Sequence, residues 1–314
     1  MAYGFEKLQQ FGFKTETVEG TAETMVAADY DSVVLSAAIE YDRAVAMRNP
    51  VRSTFSPIQP IGGATFGTVK ATLEARGSGT DATAPDWYQL LRAAGASVTT
   101  DVATFGAEIS AAQEIGTTVT CRGRDGIFER ILAGVRGSVK LYGEGVGMPI
   151  KVDFDGKGGY TQTAQTSLLA SVAPVVGVPP ILMGSALTIG GATVQYKDIE
   201  ISVENEVLPL PSGASTNGFA GYYITGQKYS FKCNVWQTNA TADFFARLAN
   251  SATTDKQAIS WTFGSGTGLT FTCTGNIGLN ANMNKTYDSG MALIPVIGEF
   301  YTEGATAALT ISQA

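Results

Sequence analysis

Apolar and polar residues alternate along several stretches of the chain, which is the period-two pattern of half-buried β-strands. In the clearest stretch the alternation covers residues 68–76 and a Gly-Ser-Gly turn follows it. Apolar residues then recur at helical spacing. We predict a strand and then a short amphipathic helix, with Thr83 as its N-cap and Gly95 at its C-terminal end. The inward-facing helix positions would be Trp87, Leu90, Leu91 and Ala94.

The same order of elements appears again about 160 residues later. Residues 227–237 alternate in the same way, and a second short helix is predicted over 241–250. A further strand precedes each copy, and a Gly-Met pair before an apolar strand follows each copy, at 147–148 and 290–291. Self-similarity at so long a period indicates duplicated domains rather than a solenoid, whose repeats span a few tens of residues.

The composition is that of a globular, β-rich protein. The chain of 314 residues is 44% hydrophobic and 16% charged, and its 37 glycines and short apolar runs favour antiparallel sheets. Residues 166–180 carry no charge, but their prolines interrupt any membrane-spanning helix, so we interpret them as a linker. We therefore predict a mainly β protein with two tandem β-sandwich or barrel domains, at 1–165 and 181–314, each with one short α-helix.

Charge and composition narrow the possible chemistry. The net charge of -7 argues against a nucleic-acid binder, which needs clustered Lys and Arg to neutralise phosphates. Histidine is absent, which removes the commonest general base and the commonest metal ligand. Cys121, Cys233 and Cys273 are widely spaced, so we interpret them as small apolar residues on buried strand faces.

Two further patterns resemble functional motifs without completing them. Asp153 and Asp155 would share one strand face beside a hairpin turn, but a calcium loop needs more oxygen ligands at set positions. The glycine-rich segments 143–147 and 264–268 lack the Lys-Ser or Lys-Thr of a phosphate loop, so we predict turns there. We accordingly predict no catalytic, cofactor-binding or metal site, and no enzymatic activity.

Residues 73–95, Leu-Glu-Ala-Arg-Gly-Ser-Gly-Thr-Asp-Ala-Thr-Ala-Pro-Asp-Trp-Tyr-Gln-Leu-Leu-Arg-Ala-Ala-Gly, resemble a segment of the major tail tube proteins of long-tailed, siphovirus-like bacteriophages. Three shorter segments, 14–22, 136–140 and 187–191, resemble the same family. Together with the order of elements around them, these segments cover most of the chain. All of them are structural motifs of Gly, Thr and apolar residues.

The resemblance implies a structural virion protein with two tail-tube-type domains. Proteins of this family form rings that stack into the tail tube, through which genome DNA is ejected. Strands of neighbouring subunits join edge to edge around the lumen, and six-fold rings are typical. With two domains in each chain we predict a homotrimer with pseudo-sixfold symmetry. The implied partners are a tape measure protein and the tail terminator and distal tail proteins, without a membrane, in a virion assembled in the host cytoplasm.

The resemblance also suggests which residues serve the tube. Acidic residues facing the lumen would repel DNA, which suits a passive conduit. Our candidates for that role are Glu74, Glu200 and Glu204. Segments 41–65 and 204–225 exceed the usual connection between strands, so we predict long loops that contact the next ring. The residues singled out in them are Pro50, Pro57, Pro60, Pro209, Pro211 and Phe219.

Two alternatives remain open from the sequence. Another β-rich tail component, such as a terminator, baseplate ring or decoration protein, would share the composition but would not stack indefinitely. A carbohydrate-binding or hydrolytic β-sandwich could use paired carboxylates and exposed aromatic residues. The sequence also leaves open whether the ring is a trimer or a hexamer, and which strand faces line the lumen.

Overall fold

A computed structural model describes residues 9–48, 59–106, 117–164, 168–170, 172, 178–215, 218–238, 256–279, 284–302 and 307–314. The prediction of a mainly β protein is confirmed, since strands dominate these residues. The first-half strands are β1 (Gln10–Thr15), β2 (Val34–Ala46), β3 (Ile61–Glu74), β4 (Ser97–Thr99), β5 (Val102–Phe105), β6 (Val119–Arg124), β7 (Phe128–Gly143) and β8 (Lys151–Ala164). The second-half strands are β9 (Ala186–Ile189), β10 (Ala192–Val194), β11 (Tyr196–Pro211), β12 (Phe219–Trp236), β13 (Lys256–Phe263), β14 (Phe271–Leu279), β15 (Thr286–Asp288), β16 (Met291–Phe300) and β17 (Leu309–Gln313).

Eight of these strands form one continuous antiparallel layer that crosses both halves of the chain. Its order is β2, β3, β8, β7, β11, β12, β16 and β15. The two halves join in its middle, where β7 pairs with β11. We call this the long layer. Its strands carry apolar residues on one face and mostly polar residues on the other, so one face packs inward and the other meets solvent.

The inward face packs on a second layer and on a short helix. In the second layer β1 pairs with β6 in the first half, while β9, β13, β14, β17 and β5 follow one another across the halves. The largest apolar cluster contains residues of both halves, including Tyr88 and Phe105 from the first and Phe231 and Trp261 from the second. The halves therefore share one core. Of the predicted linker, residues 168–170, 172 and 178–180 are described, and they lie in neither strand nor helix.

The helix α1 spans Tyr88–Ala93 and follows β3 as the sequence predicted. The four predicted inward positions, Trp87, Leu90, Leu91 and Ala94, are all buried. The predicted N-cap is wrong, because the helix begins after Trp87 rather than after Thr83. The Trp87 indole N–H donates to the Arg76 carbonyl at 2.9 Å, which ties the helix start to the end of the strand region. Gly95 follows the helix with φ +95°, as a C-terminal glycine does. The second predicted helix, 241–250, lies outside the described residues.

The two halves share a pairing register. Ala37 of β2 lies opposite Ala71 of β3, and Ile199 of β11 lies opposite Cys233 of β12. Each residue of the second pair stands 162 positions after its counterpart, 37 to 199 and 71 to 233. Both ladders also shift register at equivalent places, at 34–36 in β2 and at 196–198 in β11.

The order of pairing recurs as well. Strand β3 pairs with β8 as β12 pairs with β16, and β6 pairs with β7 as β13 pairs with β14. Strand β1 pairs with β6 as β9 pairs with β13. The hairpin partner of β8 is the single strand β7, whereas the partner of β16 is divided into β14 and β15. The offset of 162 residues therefore relates equivalent positions of β2 and β11 and of β3 and β12.

The structure corrects the two predicted loops. Over the described residues, 41–65 and 204–225 are mainly the outer parts of the hairpins β2–β3 and β11–β12, which we call the first and second arms. Both arms reach beyond the core, so neither face is fully buried and the alternation that signals a strand is weak. Pro209 and Pro211 lie within β11 opposite Tyr222 and Phe219, although proline is rare inside sheets.

The aspartate pair and the glycine-rich segments were also placed by the structure. Asp153 and Asp155 share one face as predicted, but they lie within β8 rather than beside a turn. The strand continues through Gly156, so this glycine does not mark a turn. Glycine is favoured there because a Cβ would lie only 2.7 Å from the side chains of Phe154 and Val135. The predicted turns at 143–147 and 264–268 are confirmed between β7 and β8 and between β13 and β14. The three cysteines are buried as predicted.

We expect Leu91→Ala to destabilise the whole chain and not one half alone. Leu91 is buried in the cluster that both halves share, and truncating a buried leucine costs about 2–5 kcal/mol. Thermal unfolding followed by circular dichroism should show one transition at a lower Tm. Val146→Ala, at an exposed turn position, is the matched control and should change stability by less than about 0.5 kcal/mol. Two separate transitions, only one of them shifted, would contradict a shared core.

Candidate assembly interface

The solvent-facing side of the long layer is polar, and we call it the open face. It is concave over β2, β3, β8, β7 and β11, with a depression of about 490 Å³. Its charges lie on neighbouring strands and form cross-strand ion pairs. The pairs are Lys70–Asp155 at 3.9 Å, Lys140–Asp153 at 3.4 Å, Lys232–Glu200 at 3.1 Å and Lys228–Glu299 at 2.9 Å. Exposed pairs contribute at most about 1 kcal/mol each, so their main effect is to balance charge over a wide surface.

The three predicted lumen residues all lie on this face, although lysines offset their charge. Glu200 pairs with Lys232, and Glu204 lies opposite Lys228 in the ladder. The pKa of Lys228 is raised, first by its hydrogen bond to Glu299 and by that carboxylate's charge, and further by Glu204. Glu74 lies at the edge of the face and contacts Arg76 at 2.6 Å. That these carboxylates face a lumen stays a prediction, and each of them has a basic residue nearby.

Exposed apolar side chains concentrate at the two ends of the long layer. One end carries the arms, and the opposite end carries the β7–β8 and β15–β16 turns with the segment 178–184 beside them. We call them the arm end and the turn end. Exposed at the arm end are Val45, Met47, Ile61, Leu208, Leu210 and Tyr223. Exposed at the turn end are Val146, Met148, Val178, Met183 and Met291. Concentrated exposed apolar residues mark contact surfaces more often than scattered ones do.

A small apolar cluster stabilises the second arm. Val207, Tyr222 and Ile224 form a small buried cluster on it, and Phe66 of the first arm packs against this cluster. The Phe66 and Phe219 rings meet edge to face with centroids 6.4 Å apart. Of the predicted contact residues, Pro60 lies directly before β3 in the first arm, and Phe219 packs against the cluster of the second arm. Pro50 and Pro57 lie outside the described residues.

Sequence reasoning missed the apolar residues that the arms expose. Leu208 and Leu210 alternate with Pro209 and Pro211, and the prolines led us to predict a loop in place of a strand. The usable signal was the alternation itself, which places both leucines on one face. On the second arm this face is opposite to that of buried Val207.

The two outer strands of the long layer, β2 and β15, leave one edge each without a partner. Within the described residues β2 pairs only with β3, and β15 pairs only with β16. A groove of about 740 Å³ runs along the unpaired edge of β2. One wall is Val34–Glu40 of β2. The other is formed by Gln10 and Phe11 of β1, Gly123 and Arg124 of β6, Asp125 of the following turn and Arg130 of β7.

A charged cluster supports the second-layer wall of this groove. Glu129 of β7 contacts Arg122 at 3.2 Å and Arg124 at 2.7 Å, and all three side chains are largely buried. Burial alone would raise the pKa of Glu129. The hydrogen bonds and charges of the two guanidinium groups outweigh that effect, so the pKa of Glu129 lies below its usual value of 4.5. The ionised carboxylate therefore holds Arg124, which lines the groove, together with Arg122 behind it.

The described residues were compared with the requirements of a metal site and of a membrane-spanning helix. No cluster of His, Cys, Asp and Glu among them could hold a metal ion, and no helix among them is long and apolar enough to cross a membrane. Comparison of the chain with models of protein families and with curated protein sequences finds no match.

We expect Glu129→Gln to destabilise the fold by about 1–2 kcal/mol at neutral pH, because it leaves two largely buried guanidinium groups without their shared counter-ion. Since the folded-state pKa is lowered, the contribution of Glu129 is present above its usual pKa of 4.5 and is lost as the pH falls below it. Chemical denaturation at several pH values should show the wild type and the variant converging in acid.

Glu144→Gln is the matched control for this experiment. Glu144 also pairs with a cation, Lys151 at 2.8 Å, but more than half of its side chain is exposed. Its loss should cost less than about 0.5 kcal/mol. A Glu129 effect as small as that of Glu144, or one unchanged between pH 7 and pH 3, would contradict the assigned role.

Proposed function

We propose that the chain is the subunit of a phage tail tube, a structural virion protein whose stacked rings conduct the genome. One observation carries the proposal: a continuous eight-stranded layer has a polar face with cross-strand ion pairs, and its two outer edges have no strand partner among the described residues. An open layer of this kind exposes backbone N–H and C=O groups that another strand can pair with. Closing several copies edge to edge would cover those groups and turn the polar face into the wall of a channel.

The repeated register supports a ring of three chains. Because the two halves share pairing order and register, we propose that they are tube-type domains that arose by duplication. Each chain then contributes two equivalent units, and three chains make the six units that the resemblance to tail tube proteins implies. The assembly is a homotrimer with pseudo-sixfold symmetry.

The two apolar ends support stacking. Both arms lie at one end of the long layer, and the β7–β8 and β15–β16 turns lie at the other. The direction from turn end to arm end is therefore the same for the whole layer. In a closed ring the arm ends would form one rim and the turn ends the other. Stacking would then bury the exposed apolar residues of one rim against those of the next ring, which gives a head-to-tail tube.

The charge balance of the open face suits passage of DNA. A lumen rich in unpaired lysines would bind phosphates, and each contact would add to a salt-dependent affinity. On the open face Lys70, Lys140, Lys228 and Lys232 each lie within 4 Å of a carboxylate. DNA in such a lumen meets little net attraction.

The remaining assignments follow the same proposal. The protein has a structural role and no catalytic one, it acts in the virion tail after assembly in the host cytoplasm, and its main partner is itself. A tape measure protein inside the tube, a tail terminator above it and distal tail proteins below it are the further partners. A terminator or baseplate ring shares the edge-pairing features, and stacking separates the two possibilities.

Negative-stain electron microscopy and native mass of the purified chain, at rising concentration, test the proposal. We expect trimeric rings that stack into hollow tubes as the concentration rises. Rings that never stack would point to a terminator or baseplate component. A hexameric ring would contradict the trimer, and monomers at the highest concentration would contradict the function.

In the same assay, Leu208→Lys combined with Leu210→Lys should leave rings and abolish long tubes, since two charges would enter the proposed contact between rings. Val18→Lys is the control, because Val18 is also exposed and apolar but lies in the loop after β1, next to Glu19, which pairs with Arg136 in the middle of β7. Tubes of unchanged length from the double variant would exclude the second arm from the stacking contact.

We expect Glu200→Lys combined with Glu204→Lys to create DNA binding that the wild type lacks. The change removes the carboxylates that lie opposite Lys232 and Lys228 on β11 and adds positive charge to the open face. Fluorescence anisotropy of a short DNA duplex should show binding that weakens steeply with salt. Asp81→Lys with Asp101→Lys, in turns outside the open face, gives the same change in net charge as a control. Equal binding by both variants would argue against a special role for this face.

A further inference from the structure

The chain contains one complete example of the contact that would close a ring. Residues 139–143 of β7 pair with residues 199–203 of β11, with Tyr142 opposite Glu200. We call this contact the internal seam. Val139 and Leu141 from one side and Ile199 and Ile201 from the other are all buried in the cluster shared by the halves. The seam therefore combines backbone pairing with apolar burial.

The strand equivalent to β11 in the first half, β2, lacks this cover. At the offset of 162 residues Tyr41 corresponds to Val203, and Glu40 corresponds to Ser202. Val203 is 2% exposed, whereas Tyr41 is 61% exposed. Ser202 is buried and Glu40 is exposed. The difference follows from the strand that covers one edge and not the other.

In the first half, the groove along β2 lies where the second half has a covering strand. In the second half, the space beside β11 and in front of the second layer is filled by the last residues of β7. In the first half the corresponding space lies between β2 and the β1–β6 pair, and it is open. Its lining includes apolar Phe11 and Ile39 together with the charged residues Arg124 and Arg130.

The repeat also identifies the strand that fits this groove. Tyr142 of β7 lies opposite Lys151 of β8, and Thr286 of β15 lies opposite Leu293 of β16. Lys151 lies opposite Glu74 at the end of β3, and Leu293 lies opposite Trp236 at the end of β12. Glu74 and Trp236 are 162 positions apart and so equivalent, which makes Lys151 and Leu293 equivalent as well. Thr286 therefore corresponds to Tyr142, and β15 to the part of β7 that forms the internal seam.

The partner of β2 must come from another copy. Strands β2 and β15 of one chain stand at opposite ends of an eight-stranded layer, so seven strand spacings of about 4.8 Å, roughly 34 Å in all, separate them along the sheet. Within the described residues these two edges are not paired with each other. A second chain presents the missing strand without any change in fold.

We propose that β15 of one chain pairs antiparallel with β2 of the next, with Thr286 opposite Ala38, in the register of the internal seam. This inference rests on the proposed ring and specifies its intermolecular contact. Adjacent Tyr287 then lies opposite Ala37 and points to the inward side of the layer. Tyr287 is 74% exposed in the single chain, and in this contact its ring enters the groove beside Phe11 and Ile39.

Paired cysteine substitutions test the register directly. Ala38→Cys combined with Thr286→Cys should link chains under mild oxidation or with a short bifunctional maleimide, because Cβ atoms of directly opposed residues lie about 4.5–5.5 Å apart. The three natural cysteines are buried and should not interfere. Glu200→Cys with Tyr142→Cys, at the internal seam, is the matched control and should link only within one chain.

Denaturing gels and native mass then distinguish the outcomes. Covalent dimers and trimers from the Ala38–Thr286 variant, with monomers from the control variant, support the proposal. The register is overturned if rings or tubes form without this link. It is also overturned if the link forms only when Asp288→Cys replaces Thr286→Cys. Either result would leave the proposed tube function intact. A chain that stays monomeric and does not link overturns both.

Tyr287→Arg provides a second test that does not depend on cysteine chemistry. Because Tyr287 is exposed in the single chain, the variant should keep the wild-type Tm of the monomer. Loss of the buried aromatic contact should raise the concentration needed for rings by about tenfold or more, while Tyr287→Phe should assemble like the wild type. Normal assembly of Tyr287→Arg would place this side chain outside the contact.

Discussion

The need of every sheet edge for hydrogen-bond partners organises this molecule. A strand at the end of a layer has a row of backbone donors and acceptors facing outward, and only another strand satisfies them all. In the middle of the long layer the contact between β7 and β11 meets this need inside the chain. At the two ends, β2 and β15 each have an edge with no strand partner among the described residues. The core, the polar face and the arms are all arranged around this layer.

Burial gives the layer its two different faces. Residues such as Leu73, Val152 and Val235 point inward and pack with α1 and the second layer, while the positions between them point outward and pair lysines with carboxylates. Each exposed ion pair is weak, but a ladder of them keeps charges of both signs closely mixed. The resulting surface is polar and carries charges of both signs.

Local patterns in the sequence were enough to predict the strands, the first helix and the burial of Trp87 and Leu90, because each of these depends on periodicity over a few residues. They were not enough for the arms, where both faces are exposed and the prolines of β11 resemble loop residues. The partners of Glu200 and Glu204 depend on strand register, which alternation alone leaves open. The shared core was missed for a similar reason, since a linker rich in proline suggested separate domains while β7–β11 pairing joins the halves.

The internal seam also changes the kinetics that assembly can follow. Two identical single-domain subunits must meet by diffusion before any seam forms, whereas here one seam forms within the folding chain at a high effective concentration. In the proposed ring only three of six seams need encounters between molecules. The remaining edge carries Glu40, Asp42 and Arg43, and charges on an edge strand discourage indiscriminate pairing with other sheets. In the proposed assembly, the first pairing of this edge with another copy would therefore be a step separate from the folding of the chain.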